Sequence, residues 1–151
     1  MKWDPTEIGR FGFKVGRTFE MSWFTLWRRE DHYDLVLFAM GDDDDEPVNT
    51  TTPIPFELGD QIIAQAYDSG HLDTWEQSYN IETAESDPFT WSLDIAALDE
   101  SILFITHGKG GLPKSEDFSA VVQAVRQACA DFGKASPRST TCERTFERNW
   151  L

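Results

Sequence analysis

Apolar and polar side chains alternate along Arg10–Glu20, the first strongly patterned stretch of the chain. Its apolar members are Phe11, Phe13, Val15 and Phe19. This spacing places them on one face of a strand, because successive side chains of a β-strand point to opposite faces. Two further segments, Ser22–Arg29 and His32–Met40, are rich in β-branched and aromatic residues, with Glu30 and Asp31 at a turn between them. Together the three segments predict an antiparallel meander.

A helical period replaces the alternation after Pro55. The apolar positions of Phe56–Gly70 fall on one stripe, formed by Leu58, Ile62 and Ala66, with Ile63 and Tyr67 beside it. Gly70 is placed as a C-terminal stop, whereas Gly59 lowers the helix propensity of the segment. We therefore predict the first helix here. The next pattern is strand-like again: Thr90–Ala96 and Ser101–His107 flank a turn and predict a second hairpin.

The longest helical pattern covers Ser115–Gly133. Ser115 is suited to the N-cap, Glu116 and Asp117 occupy the first turn, where the helix dipole favours acids, and Gly133 is suited to the end. One apolar stripe runs along this segment, made of Phe118, Val121, Val122, Val125, Cys129 and Phe132. A helix with a single apolar stripe packs that stripe on another element, here the predicted sheet.

The order β-β-β-α-β-β-α predicts an α+β domain with a mostly antiparallel sheet of about five strands and two helices on one face. We assign residues 1–133 to this single domain. Residues 134–151 form a polar C-terminal tail in which Trp150 is the candidate for packing on the domain.

Charge is distributed very unevenly along the chain, whose net charge is −14. From Glu30 to Gly108 there are 19 Asp and Glu and no Lys or Arg, whereas the flanks are mildly basic. A solvated surface usually mixes both signs, because like charges repel. Such a one-sign field disfavours nucleic acid and anionic membranes as partners and accelerates encounters with a cationic one.

Composition and cysteine usage limit the class of protein and its expected cellular compartment. Apolar residues make up 40% of the chain and aromatic residues 13%, which is enough for a folded core and excludes an aromatic-poor disordered acidic protein. The sequence has no apolar run of membrane-spanning length, and its N-terminus lacks the apolar core of a signal peptide. We expect a cytoplasmic protein with reduced thiols, Cys129 buried and Cys142 incidental.

Candidate cofactor sites fail on spacing. The GDDDDE run does not fit a calcium loop, because counting from Asp42 the positions that require Gly and Glu are Pro47 and Pro53. The Gly-rich stretch Gly108–Gly111 lies between a strand and a helix, but it lacks the spacing of a phosphate-binding loop. The histidines, at 32, 71 and 107, have no metal-ligand spacing. We predict no cofactor, no metal and no enzymatic activity.

The acidic middle of the chain contains the residues that we predict to bind a partner. Aromatic side chains among carboxylates suit a protein that presents Arg and Lys, since rings stack on guanidinium groups while acids pair with the charge. Trp75 and Tyr79 are the predicted anchors, although they could instead close the edge of the core. The predicted partner-binding acids are Asp42, Asp43, Asp44, Asp45, Glu46, Asp68, Asp73, Glu76, Glu82, Glu85 and Asp87.

These features predict an acidic inhibitor that occludes the cationic active site of a basic protein. Bacterial immunity proteins against nuclease-type toxins are the obvious class, by a resemblance of physical type. A phage-encoded DNA mimic is the runner-up within this class. The alternatives from other classes are a small carboxylate-dependent enzyme with its site at Gly108–Gly111, and an adaptor or chaperone for a basic secreted protein.

Overall fold

The computed structural model describes residues 1–18, 20–40 and 48–132, except for the side chains of Val48 and Phe132. These residues form seven strands, two α-helices and two short 3₁₀ turns, Pro5–Glu7 and Leu72–Thr74. The strands are β1 (Ile8–Arg17), β2 (Glu20–Arg28), β3 (Tyr33–Met40), β4 (Val48–Ile54), β5 (Ser78–Asn80), β6 (Thr90–Ala97) and β7 (Ile102–Lys109). The helices are α1 (Phe56–Ser69) and α2 (Ser115–Phe132).

All seven strands form one sheet in the order β4-β3-β2-β1-β6-β7-β5. Neighbouring strands are antiparallel except at one edge, where β5 pairs with β7 in parallel. The protein is therefore an α+β domain with a mixed sheet, and the predicted class is confirmed. The predicted number of strands was too low, because two strands at the sheet edges were missed.

The missed strands are those whose sequence carries little strand signal. In β4, Val48–Ile54, polar residues and Pro53 predominate, and the strand pairs only with β3 at the edge of the sheet, where proline is tolerated. The three residues of β5 are too few to show a period. Both strands depend on a neighbour that is already in the sheet.

One face of the sheet packs against both helices. Of the apolar positions predicted for the first strand, Phe11, Phe13 and Val15 alternate inward along β1 and are buried, whereas Phe19 lies outside the described residues. They belong to one core cluster with the buried residues of α1 and α2 and with Trp91, Leu93 and Ile95 of β6. The burial of these three β6 residues was predicted from their alternation. The opposite face has no helix against it among the residues that the structure describes.

Helix α1 begins after Pro55 and ends at Gly70, the predicted stop, whose N–H donates to the Ala66 carbonyl. Gly59 is explained by packing, since a Cβ there would lie 2.1 Å from Cδ2 of the Tyr33 ring. The Tyr33 hydroxyl donates to Asp60 of the same helix at 2.6 Å, and burial raises the pKa of this phenol. The glycine that weakens α1 as an isolated helix therefore lets it approach the sheet.

Helix α2 has the predicted apolar stripe, and Phe118, Val121, Val122, Val125 and Cys129 are all buried. Its N-terminus differs by one residue from the prediction. Ser115 is the first helical residue and not the cap, since the Lys114 carbonyl accepts from the N–H of Phe118. Gly133, the predicted end, and residues 134–151 with Trp150 lie outside the described residues.

Burying a charge on the stripe of α2 tests this packing. We expect Val122→Asp to lower the free energy of unfolding by about 3 kcal/mol or more, because the carboxylate would have no partner in the core. The neighbouring exposed position supplies the control, Gln123→Asp, which should change stability by less than about 0.5 kcal/mol. Urea unfolding measures both, and equal stability of the two variants would contradict the assigned face.

A buried hydroxyl offers a second test. Ser22 on β2 is fully buried, and its Oγ has no hydrogen-bond partner among the described residues. We expect Ser22→Ala to raise the free energy of unfolding by about 1 kcal/mol, because it removes an unsatisfied polar atom. Thr25→Ala, on the other face of the same strand, should give no such gain. A melting temperature lowered by Ser22→Ala would show that the hydroxyl is satisfied after all.

Candidate partner-binding site

The predicted site segment, Asp68–Asp87, runs along the β5 edge of the sheet. It leaves α1 through His71, which has a left-handed backbone (φ 50°), and continues through the Leu72–Thr74 turn into β5. The following connection, residues 81–89, passes the end of β7, because Asn80 and Thr90 both pair with Lys109. We call residues 81–89 the rim loop. The segment thus covers one edge and one end of the sheet.

An aromatic cluster fixes this segment from below. The ring of Phe118 on α2 contacts Trp75 at 6.1 Å, Trp91 at 5.2 Å and Phe89 at 6.2 Å between ring centroids. Trp75 also meets Trp91 edge-to-face at 5.5 Å. Such geometries are favourable beyond the apolar area that they bury. The acidic segment is consequently supported by packed aromatic side chains, which we call the aromatic cluster.

The two predicted anchors, Trp75 and Tyr79, belong to this aromatic cluster. Trp75 is only 8% exposed, and its indole N–H donates to the Gly70 carbonyl at 2.8 Å. Tyr79 is half-buried against Trp91, and its hydroxyl accepts from the N–H of Glu76 at 2.7 Å. The alternative interpretation, in which these rings close the edge of the core, is the one that their burial supports. They can position a partner site but project little surface to a partner.

Four of the predicted acids point to solvent without an internal partner. The side chains of Asp73, Glu76, Glu82 and Glu85 are exposed, and no hydrogen bond or ion pair joins them to another described residue. We call these four residues the acidic edge. Exposed acids elsewhere in the described chain include both a paired one, Asp31 with His32, and single unpaired ones such as Glu7 and Glu57. The acidic edge thus has no direct ion pair with another described residue.

Asp68 and Asp87 have structural contacts instead. Asp68 pairs with the N-terminal ammonium of Met1 at 3.2 Å. Asp87 accepts from the hydroxyl and the N–H of Thr18 at 2.7 and 3.0 Å, and these bonds, the hydroxyl first, lower the pKa of the carboxyl. Asp87 thereby ties the rim loop to the β1–β2 turn.

A row of paired residues relates the rim loop to the run Asp42–Glu46. Across one end of the sheet the pairs connect Met40, Met21, Gly16, Thr90, Lys109 and Asn80. Met40 precedes the acidic run by two residues, and Asn80 directly precedes the rim loop. The run itself lies outside the described residues. Its N-terminal flank and the acids of the rim loop are thus at the same end of the sheet.

One exposed apolar residue in the segment was missed from the sequence. Ile81 is 56% exposed and lines a groove of about 630 Å³ together with Glu82, Glu85 and Lys109. Its sequence signal was an apolar residue among acids directly after a short strand. Lys109 places one cation in the groove, so the groove is not purely acidic.

The Gly-rich loop is explained by packing. A Cβ at Gly108 would lie 2.2 Å from the Trp91 indole nitrogen, and one at Gly111 would lie 2.1 Å from the Tyr79 carbonyl oxygen. The same indole N–H donates to the Gly111 carbonyl at 2.8 Å. These glycines therefore allow the loop to close over the aromatic cluster.

A second cleft, of about 510 Å³, adjoins this loop. His71 Nδ1 lies 2.9 Å from the carboxylate of Asp117, which is buried at the start of α2, while the His71 side chain is largely exposed. Thr74 and Lys114 also line the cleft. The described residues contain no group of three or more His, Cys, Asp or Glu arranged to hold a metal ion.

Comparison with known protein families finds no family model that matches this chain. Comparison with characterised proteins likewise finds no significant match. Within the described residues, neither helix is both long and apolar enough to cross a bilayer.

Removing the Trp75 ring tests whether Trp75 is a packed member of the aromatic cluster. We expect Trp75→Ala to lower the free energy of unfolding by about 3 to 5 kcal/mol, because it leaves a cavity beneath the acidic edge. Leu112→Ala, which removes a side chain 38% exposed near the same cleft, is the control and should cost far less. Thermal unfolding followed by circular dichroism measures the difference. An unchanged melting temperature for Trp75→Ala would return Trp75 to the role of a partner anchor.

Proposed function

We propose that the protein binds a basic protein and blocks its cationic site, as an immunity protein does for a nuclease-type toxin. One observation carries the proposal: the acidic edge holds four exposed carboxylates that form no ion pair with a described residue, on a segment supported by the Phe118 cluster. A preorganised acidic surface binds cations with little ordering cost. Uncompensated acids are mildly destabilising by themselves, so a partner that neutralises them explains their retention.

The mechanism divides between steering and contact. The net charge of −14 attracts a basic partner over about a Debye length, roughly 10 Å at moderate salt, and raises the association rate. At contact, Glu82 and Glu85 pair with Arg or Lys side chains that otherwise bind phosphate. Ile81 supplies the apolar contact beside them, and the seven acids of the predicted list that lie outside the acidic edge contribute mainly to the long-range field or to the fold.

The same charges argue against other partners. Phosphate groups of nucleic acids and headgroups of anionic membranes are repelled by this surface. A protein that neutralises an enzyme must share its compartment with that enzyme before release. We accordingly propose the cytoplasm as the location.

The enzyme alternative rests on one observation, the His71–Asp117 pair in the second cleft. A buried acid that orients an exposed histidine is the arrangement of a general base. The same contact also joins the Leu72–Thr74 turn to α2, which is a structural role. His71→Gln separates the two functions, because it removes a general base and leaves the acidic edge intact.

Charge reversal at the rim loop tests the proposed function. We expect Glu82→Lys with Glu85→Lys to weaken binding of an oligo-arginine peptide, and of a basic product of the neighbouring gene, by about tenfold or more. The loss should shrink as salt is raised, because screening removes the attraction. Fluorescence anisotropy with labelled peptide and titration calorimetry with the gene product measure these changes.

The matched control is Glu7→Lys with Glu57→Lys, which changes the net charge equally at exposed positions outside the segment. It should retain most of the affinity. Equal losses of affinity in both double variants would show that the acidic edge acts only through the net charge of the protein. If the chain retains no basic protein even at low salt, or if only His71→Gln abolishes its biological effect, the inhibitor function is rejected in favour of the enzyme.

A further inference from the structure

The face of the sheet turned away from the helices, which we call the open face, carries large aromatic side chains. Trp23 and Trp27 on β2 alternate with the buried Phe24 and Leu26, so they point to the opposite side. Trp23 is 42% exposed and lies opposite Phe38 of β3, with ring centroids 5.2 Å apart. Two tryptophans on a solvent face are unusual for a monomer, because large aromatic residues are enriched at interfaces.

The centre of the open face is a shallow depression. Gly12 of β1 lies between Thr25 and Asp94 in the pairing register, and a Cβ on Gly12 would come within 2.7 Å of the Asp94 carboxylate. Trp23 and Trp27 flank the depression, whose volume is about 310 Å³. The absent side chain at Gly12 therefore makes room for the Asp94 carboxylate, which lines the depression together with the two tryptophan rings.

Charges on the open face are nearly balanced. Arg10 donates to Asp94 at 2.6 and 3.0 Å, and Arg29 donates to Asp34 at 2.8 Å. Lys14 lies over the Trp23 ring at 4.8 Å. Lys109 of β7, which pairs with Thr90, lies on the same face by register, so the face carries four cations and two acids in a chain whose net charge is −14. The open face is thus distinct from the acidic edge.

The dimensions of the face match those of a stable interface. Without the three-residue β5, six strands of about eight residues at a spacing of about 4.8 Å and a rise of about 3.3 Å per residue give an area of roughly 750 Å². A standard interface buries about 800 Å² on each partner. The open face is large enough to be covered as a whole.

We propose that the open face binds the open face of a second copy of this chain, forming a two-fold dimer. A basic partner is disfavoured here, because Arg10, Lys14 and Arg29 already lie on the face. A second copy presents the same aromatic, charge-balanced surface, and an isologous contact closes without leaving a free site. The strongly acidic regions of the two copies repel, so the balanced face is where association costs least. The acidic edges stay accessible in this arrangement, at the sheet edge and end.

Sedimentation equilibrium of the full chain tests the dimer. We expect a dimer at about 100 μM protein, and we expect dimerisation to strengthen as salt rises, because salt screens the repulsion between two acidic chains. This dependence has the opposite sign to that of the basic partner complex. The dimer and the proposed function are therefore tested separately.

Two variants on the face provide the structural check. Trp23→Asp and Thr25→Arg should each raise the dimer dissociation constant by about thirtyfold or more, since each places a charge in the interface. Leu98→Asp is the control, at an apolar position 62% exposed in the β6–β7 turn, and should leave the constant unchanged. Circular dichroism verifies that all three variants fold.

Three results would overturn the proposal. The first is a monomer at about 100 μM at both low and high salt, which would leave the face to a different occupant. The second is a dimer unaffected by Trp23→Asp and Thr25→Arg, which would place the contact elsewhere. The third is a dimer that weakens as salt rises.

Discussion

The packing of Phe118 against the sheet is the contact on which the rest of the structure depends. Its ring joins α2 to β1 through Phe13 and to β6 through Trp91, and it also supports Trp75 from the segment that leads into β5. The edge strand β5 is only three residues long and could not hold its place through backbone pairing alone. The aromatic cluster therefore orders both the helix layer and the acidic edge. A surface that would otherwise be a flexible acidic loop becomes a shaped one.

Much of the fold was predictable because its core elements carry strong periods. The alternation in β1 and β6 and the single stripe of α2 each identify the buried residues correctly, and Gly70 ends α1 as predicted. What could not be predicted depends on neighbours distant in sequence. The polar strand β4 is a strand because β3 offers it a free edge, and Gly59 is tolerated in α1 because Tyr33 fills the space beside it. A local period carries no information on either contact.

The candidate site was predictable in its charges and not in its aromatic residues. Acids without nearby cations in sequence had few local partners, and the acidic edge indeed has none among the described residues. Trp75 and Tyr79, by contrast, stand among acids in sequence and yet face inward, because the segment lies on α2 and β6. Among the described residues the exposed tryptophan is Trp23 of β2, where both faces of the strand are apolar. Sequence proximity to charge was therefore a poor guide to aromatic exposure.

The distribution of charge and apolar surface gives the two proposed associations different places on one small domain. The four acids of the acidic edge, which form no ion pair, lie at an edge and an end of the sheet, where the proposed partner can approach without touching the face. Arg10 and Arg29 on this face are paired with acids and stacked on Trp27, so their charge is largely neutralised within the molecule. Desolvating these paired groups costs less than desolvating free ones, because each carries its counter-charge with it. An apolar contact at the face and an electrostatic contact at the edge are thus physically compatible in the same molecule, and salt moves them in opposite directions.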